Sequence, residues 1–119
     1  QPMDPGCHIS APRLETSSGL ILEFTAPAQG IPLNELFSLD VTVHNSESPE
    51  RLSILVDATM PAHGHGMLTM VDIVARDTPG TFTVSQMNLH MPGEWELSAL
   101  IIDGENAEQV RTYVQCVEG

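Results

Sequence analysis

Apolar and polar side chains alternate with a period of two along most of this chain, and no helical period persists. Leu20, Leu22 and Phe24 alternate in the first run, and Phe37, Leu39, Val41 and Val43 in the second. Leu52, Ile54, Val56 and Ala58 form the third run, Val71, Ile73 and Ala75 the fourth, and Phe82 and Val84 the fifth. Trp95, Leu97, Ala99 and Ile101 form the sixth, and Val110, Thr112, Val114 and Cys116 the seventh. Successive side chains of a strand point to opposite faces, so each run predicts a strand with one buried face.

Turn chemistry separates the runs. Gln29-Gly30, Asn45 to Pro49, Thr78-Pro79-Gly80, Met91-Pro92-Gly93 and Asp103-Gly104 all fall between them. The Pro-Gly pairs suit type II turns, where Pro presets the first corner and Gly supplies the positive φ of the second. Seven short strands at this spacing predict an all-β, seven-stranded immunoglobulin-like or cupredoxin-like sandwich over residues 19–119. Residues 1–18, rich in Pro, Gly and Ser, read as an irregular N-terminal arm. At 119 residues the chain fits one domain, and its core is expected to be aliphatic because aromatic residues are few.

The formal net charge is −12, with four Arg and no Lys. A surface this acidic repels phosphate backbones and anionic membrane surfaces while attracting cations, so nucleic acid is not an expected partner. No apolar run reaches the ~18 residues of a membrane span. The chain begins at Gln1 and reads as a mature or trimmed form, with an upstream anchor left open.

Cys7 and Cys116 stand near the two ends, and Cys116 is in phase with Val110 and Val114. A disulfide between them would pin the arm to the last strand and imply an oxidising compartment. The alternatives are a free, buried Cys116 with a mobile Cys7, and a Cys7 that binds metal beside His8.

Three of the five His and five of the six Met gather in two stretches. Met60-Pro-Ala-His63-Gly-His65-Gly-Met67-Leu-Thr-Met70 is one, and Met87-Asn-Leu-His90-Met91 is the other. If residues 63–67 are extended, His63, His65 and Met67 project to one side. Imidazole and thioether donors suit soft or borderline metals, Cu(I) above all, and do not suit Ca²⁺ or Mg²⁺. The bland alternative is that Met residues fill the sandwich end and His residues bond to nearby carbonyls. His8 and His44 read as surface residues. No nucleophile elbow, Ser/His/Asp spacing or phosphate loop is present, and Asp57 beside His63 lacks a third group, so no enzyme and no small-molecule substrate are expected.

The loop Met60 to Met67, then Phe82-Thr-Val and Met87-Asn-Leu-His-Met-Pro-Gly-Glu-Trp-Glu-Leu, resembles YtkA-like domains and, more distantly, FixH-type proteins over residues 20–116. The resemblance implies an extracytoplasmic β-sandwich, tethered to a membrane in many relatives, and an association with copper handling or respiratory oxidase assembly. Carried onto this chain, it points to His63, His65 and Met67, with His90 and Met91 from the second stretch. The pattern is also similar to periplasmic copper chaperones, although the spacing departs from their full motif. Together these readings predict a periplasmic or extracellular copper-binding or copper-delivery module. Met60, Met70 and Met87 are further ligands or an apolar lid, and the partners are copper-handling or oxidase-assembly proteins. The rival expectation is a metal-free interaction module that uses the same loop and the Met91-Pro92-Gly93 turn.

Overall fold

The computed structural model describes residues 4–119, which form two antiparallel five-stranded sheets. The strands in chain order are β1 (Gly6–Ile9), β2 (Arg13–Glu15), β3 (Ile21–Thr25), β4 (Phe37–His44), β5 (Leu52–Met60), β6 (His65–Gly66), β7 (Asp72–Ala75), β8 (Thr81–Met87), β9 (Gly93–Asp103) and β10 (Asn106–Val117). One sheet runs β1-β10-β9-β5-β6 and the other β2-β3-β4-β8-β7. The only helix among the described residues is a 3-10 turn, Pro49–Arg51, and no helix is long and apolar enough to cross a membrane.

The seven alternating runs correspond to β3, β4, β5, β7, β8, β9 and β10. Most of the inward residues they nominate are buried: Leu22, Phe24, Leu39, Val41, Ile54, Val56, Val84, Trp95, Leu97, Ala99, Ile101 and Val114 join one core cluster, whereas Leu20, Val71 and Ile73 are half-buried and Ala75, on the edge strand β7, is exposed. A sheet with one face buried fixes its register, because a slip by one residue would turn that whole set to solvent. Three short strands add to the seven. β6 has two residues, and β1 and β2 arise within the stretch expected to be irregular. Those two lie one on each sheet, so the arm laces the layers together. Cys7 and Ile9 pair with Cys116 and Val114, and Arg13 to Glu15 pair with β3. The backbone pairing comes from the partner strands' free edges and needs no strong local propensity.

Cys7 and Cys116 are directly opposite in the β1–β10 ladder and form a disulfide. Both are buried. At the other end of the molecule, Glu108 of β10 accepts hydrogen bonds from the Ser18 amide at 3.2 Å and from the Ser17 and Ser18 hydroxyls. The Ser18 hydroxyl holds the Glu108 carboxyl below the usual carboxylate range.

The disulfide spans 109 residues of chain, and in the chain-entropy model a loop that long stabilises the fold by about 4–5 kcal/mol. Replacing both cysteines by Ala is therefore expected to lower the unfolding free energy by up to that amount in urea titrations. An unchanged midpoint would mean that β1 is already held by its hydrogen bonds alone.

Candidate functional site

The two His/Met stretches meet at one end of the sandwich, where β5 ends, β6 begins, β8 ends and β9 begins. Met60 of β5 is opposite His65 of β6. Thr59 is opposite Glu96 in the β5–β9 ladder, so the next rung places Met60 level with Trp95. Trp95 is in turn opposite Val114. Laterally paired residues share a face of the sheet, so His65, Met60, Trp95 and Val114 form one inward row. Met60, Trp95 and Val114 are at most 1% exposed. His65, at the sheet edge, is half-buried.

The loop between β5 and β6 departs from the extended conformation expected of residues 63–67. The amides of His63 and Gly64 both bond to the Met60 carbonyl, at 3.1 and 2.9 Å, and Gly64 has φ +68°. This tight turn reverses the chain onto β5, and only His65 and Gly66 are in strand conformation. Glycine permits the left-handed corner without a Cβ clash. The turn still leaves the His63 and His65 ring centroids 5.8 Å apart.

A bulge delivers the second stretch. Phe37 is opposite Met87 and Leu39 is opposite Val84, so Ser85 and Gln86 together face Ser38. Gln86 sits at φ +63°. The extra residue shifts the inward phase from Phe82 and Val84 to Met87 and Leu89. The Gln86 carbonyl, turned out of the ladder, accepts a hydrogen bond from the Thr69 hydroxyl at 2.7 Å, which ties the two His/Met stretches together. The Leu89 carbonyl accepts from the Asn34 amide at 2.9 Å.

His90 consequently reaches His65. Their ring centroids are 5.4 Å apart, and each ring stands edge-on to Trp95 at 72°, His65 at 6.0 Å and His90 at 5.4 Å. The Trp95 indole N–H donates to the Met91 carbonyl at 3.0 Å. Two imidazoles bound to one metal at ~2 Å put their centroids about 5–6 Å apart, which matches both imidazole pairs. His65 Nδ1 is 3.2 Å from the Gly66 carbonyl. With the proton on Nδ1 donated there, Nε2 keeps a free lone pair, the usual outer support of a ligating histidine. His90 Nδ1 is buried without a hydrogen-bond partner, and so is Asn88 Oδ1. A buried polar nitrogen left unsatisfied costs about 1–3 kcal/mol, and a ligand at this point would relieve it.

The methionines divide. Met60 and Met87 are fully buried core residues, and the Met60 methyl would lie 3.0 Å from a Cβ built on Gly93. Met67 and Met91 are half-buried and pack against the core, two residues after His65 and one after His90 in the chain. Met70, by contrast, is 90% exposed. Among the described residues, no group of three or more His, Cys, Asp or Glu is arranged to hold a metal. A metal here would therefore take two imidazoles with thioether sulfur. His8 bonds to the Asp4 carbonyl and His44 to Glu23, both away from the cluster. A groove of about 910 Å³ opens beside β1 and the start of β4, with no His, Met or Cys in its lining.

Trp95 and Asn88 are parts of the site that the His/Met pattern did not single out. The alternation marked Trp95 as inward, and its place two residues after Gly93 puts it on the same row as Met60. Asn88 carries no comparable signal. Comparison of the chain with models of known families, with curated proteins and with solved structures finds no match.

Gly93 has φ +121°, a region that L-residues enter at a cost of about 1–3 kcal/mol. Gly93→Ala also forces the added methyl against Met60. The variant is expected to lose at least that stability and to shift Trp95 emission to the red; native emission at native stability would contradict the packing described.

Proposed function

We propose that this chain is an extracytoplasmic copper-binding or copper-delivery module whose metal is Cu(I). His65 is the central ligand, one of His63 and His90 is its imidazole partner, and Met67 and Met91 supply thioether sulfur. The observation that carries the reading is His65 standing 5.8 Å from one imidazole and 5.4 Å from another, beside the orphaned Nδ1 of His90. The donor chemistry favours copper. Imidazole plus thioether is a soft set, and structural zinc prefers thiolates, which the disulfide has removed here. A half-exposed site with few fixed ligands suits transfer better than storage.

The disulfide is compatible with a periplasmic or extracellular setting. The resemblance to YtkA-like and FixH-type proteins supports the same setting and points to copper-handling or oxidase-assembly partners. The two-sheet architecture is of the kind found in immunoglobulin-like and cupredoxin-like sandwiches, and we assign the chain to that class. The Met60 to Met67 loop and the Met91-Pro92-Gly93 turn also suit a metal-free interaction module, supported by the exposure of Pro61, Ala62 and His63.

Trp95 is the chain's single tryptophan and flanks both imidazoles, so its emission reports occupancy of the site. Anaerobic titration with Cu(I) is expected to quench Trp95 at one equivalent. His65→Ala is expected to weaken binding by at least about tenfold, a 1.4 kcal/mol effect, and His44→Ala to leave it unchanged. Equal Cu(I) affinity in His65→Ala would overturn the metal assignment and favour the interaction module.

A further inference from the structure

Two five-stranded open sheets present four edges, and three of them are closed to further pairing. β1 is covered by Ile31, whose carbonyl accepts the Cys7 amide at 2.9 Å. β2 is three residues long, follows Pro12 and carries the exposed charges of Arg13 and Glu15. β6 has only two residues. These are the short lengths, prolines and charges that keep natural edges from recruiting other strands.

β7 is also short, at four residues, but apart from one charge at its start it has no other guard and nothing pairs along its outer side. Asp72 to Ala75 pair regularly with β8, without a bulge, and contain no Pro or Lys. Val74 is 54% exposed, and the loop leading into the strand exposes Leu68 at 83% and Met70 at 90%. Thr69, between them, is tied down to Gln86, so the two flanking side chains are held out to solvent. Large exposed apolar side chains grouped beside an open edge mark an interaction surface.

Charge selects the occupant. All four arginines are engaged in ion pairs, with Glu23, Asp103, Asp40 and Glu96. Asp72 and Asp77, at either end of β7, are exposed and belong to none of these pairs. A second copy of a chain with net charge −12 would bring like charges together along the joint, which is unfavourable for directly opposed residues. We propose that the β7 edge receives an extended, basic segment of a partner protein as an added strand. The segment sets a basic side chain opposite Asp72 and an apolar one opposite Val74, and its flank rests on Leu68 and Met70. Backbone hydrogen bonds to the edge supply affinity, and the alternate side chains supply selectivity. This surface is separate from the imidazole cluster and does not require metal.

The test uses a fluorescein-labelled extended peptide with Arg and Val alternating on one face and Thr on the other. Anisotropy is expected to rise on mixing with the intact domain and to fall as salt is added. Val74→Lys is expected to weaken binding by at least about tenfold, or 1.4 kcal/mol, and Met70→Lys to weaken it less. Ser53→Lys, which adds the same charge on the exposed face of β5, is expected to bind as the parent does. Melting temperature and Cu(I) quenching of Trp95 should be the same in all three variants, which separates this proposal from the metal assignment. Absence of peptide binding, or equal weakening by Ser53→Lys, would overturn it. A concentration-dependent dimer abolished by Val74→Lys would instead make the occupant a second copy.

Discussion

Trp95 is the pivot on which the candidate site is built. It is completely buried and is the largest of the fully buried side chains, so its burial is a large single contribution to the core. Its one polar atom must be satisfied, and the Met91 carbonyl does so. That bond fixes the chain just before β9 enters the sheet. The same ring gives His65, on β6, and His90, in the connection from β8 to β9, a common wall to stand against. Gly93 completes the arrangement by omitting a side chain where the Met60 methyl needs room. The meeting of the two imidazoles is thus a consequence of core packing.

The ion pairs have little part in holding this structure. Each arginine involved is more than half exposed, and such pairs contribute about 0–1 kcal/mol each. Stability rests on apolar burial, the ladder hydrogen bonds and the disulfide. Acidity then has room to serve association: the negative field raises the local concentration of cations and steers basic partners.

The strands that hold the core were legible because parity is visible in a sequence. Trp95, Leu97, Ala99 and Ile101 announce an inward face without any knowledge of neighbours. β1, β2 and β6 were not legible in this way, because each exists only as a complement to another strand's edge. The bulge at Ser85-Gln86 lay between the two. Its trace is the phase slip from Val84 to Met87, which only the pairing with Phe37 and Leu39 makes interpretable. His63 and His65 were correctly recognisable as neighbours but not as the two sides of a turn, since Gly64 is equally at home in an extended chain. Met60, Met87 and Met70 look alike in sequence; two turned out to be core and one open to solvent, because parity is lost in loops and after bulges. His90 joined His65 through topology alone.

The bond between Cys7 and Cys116 makes the folded molecule, in covalent terms, almost a closed ring. Any exposed turn between those residues is then interior to a circle. A protease that nicks the turn at residues 61–64, or the one at residue 104, opens the circle once and leaves a single linked body whose strands remain paired. Such a domain tolerates a cut in an environment rich in proteases, and releases a fragment only when a second cut or a reductant arrives.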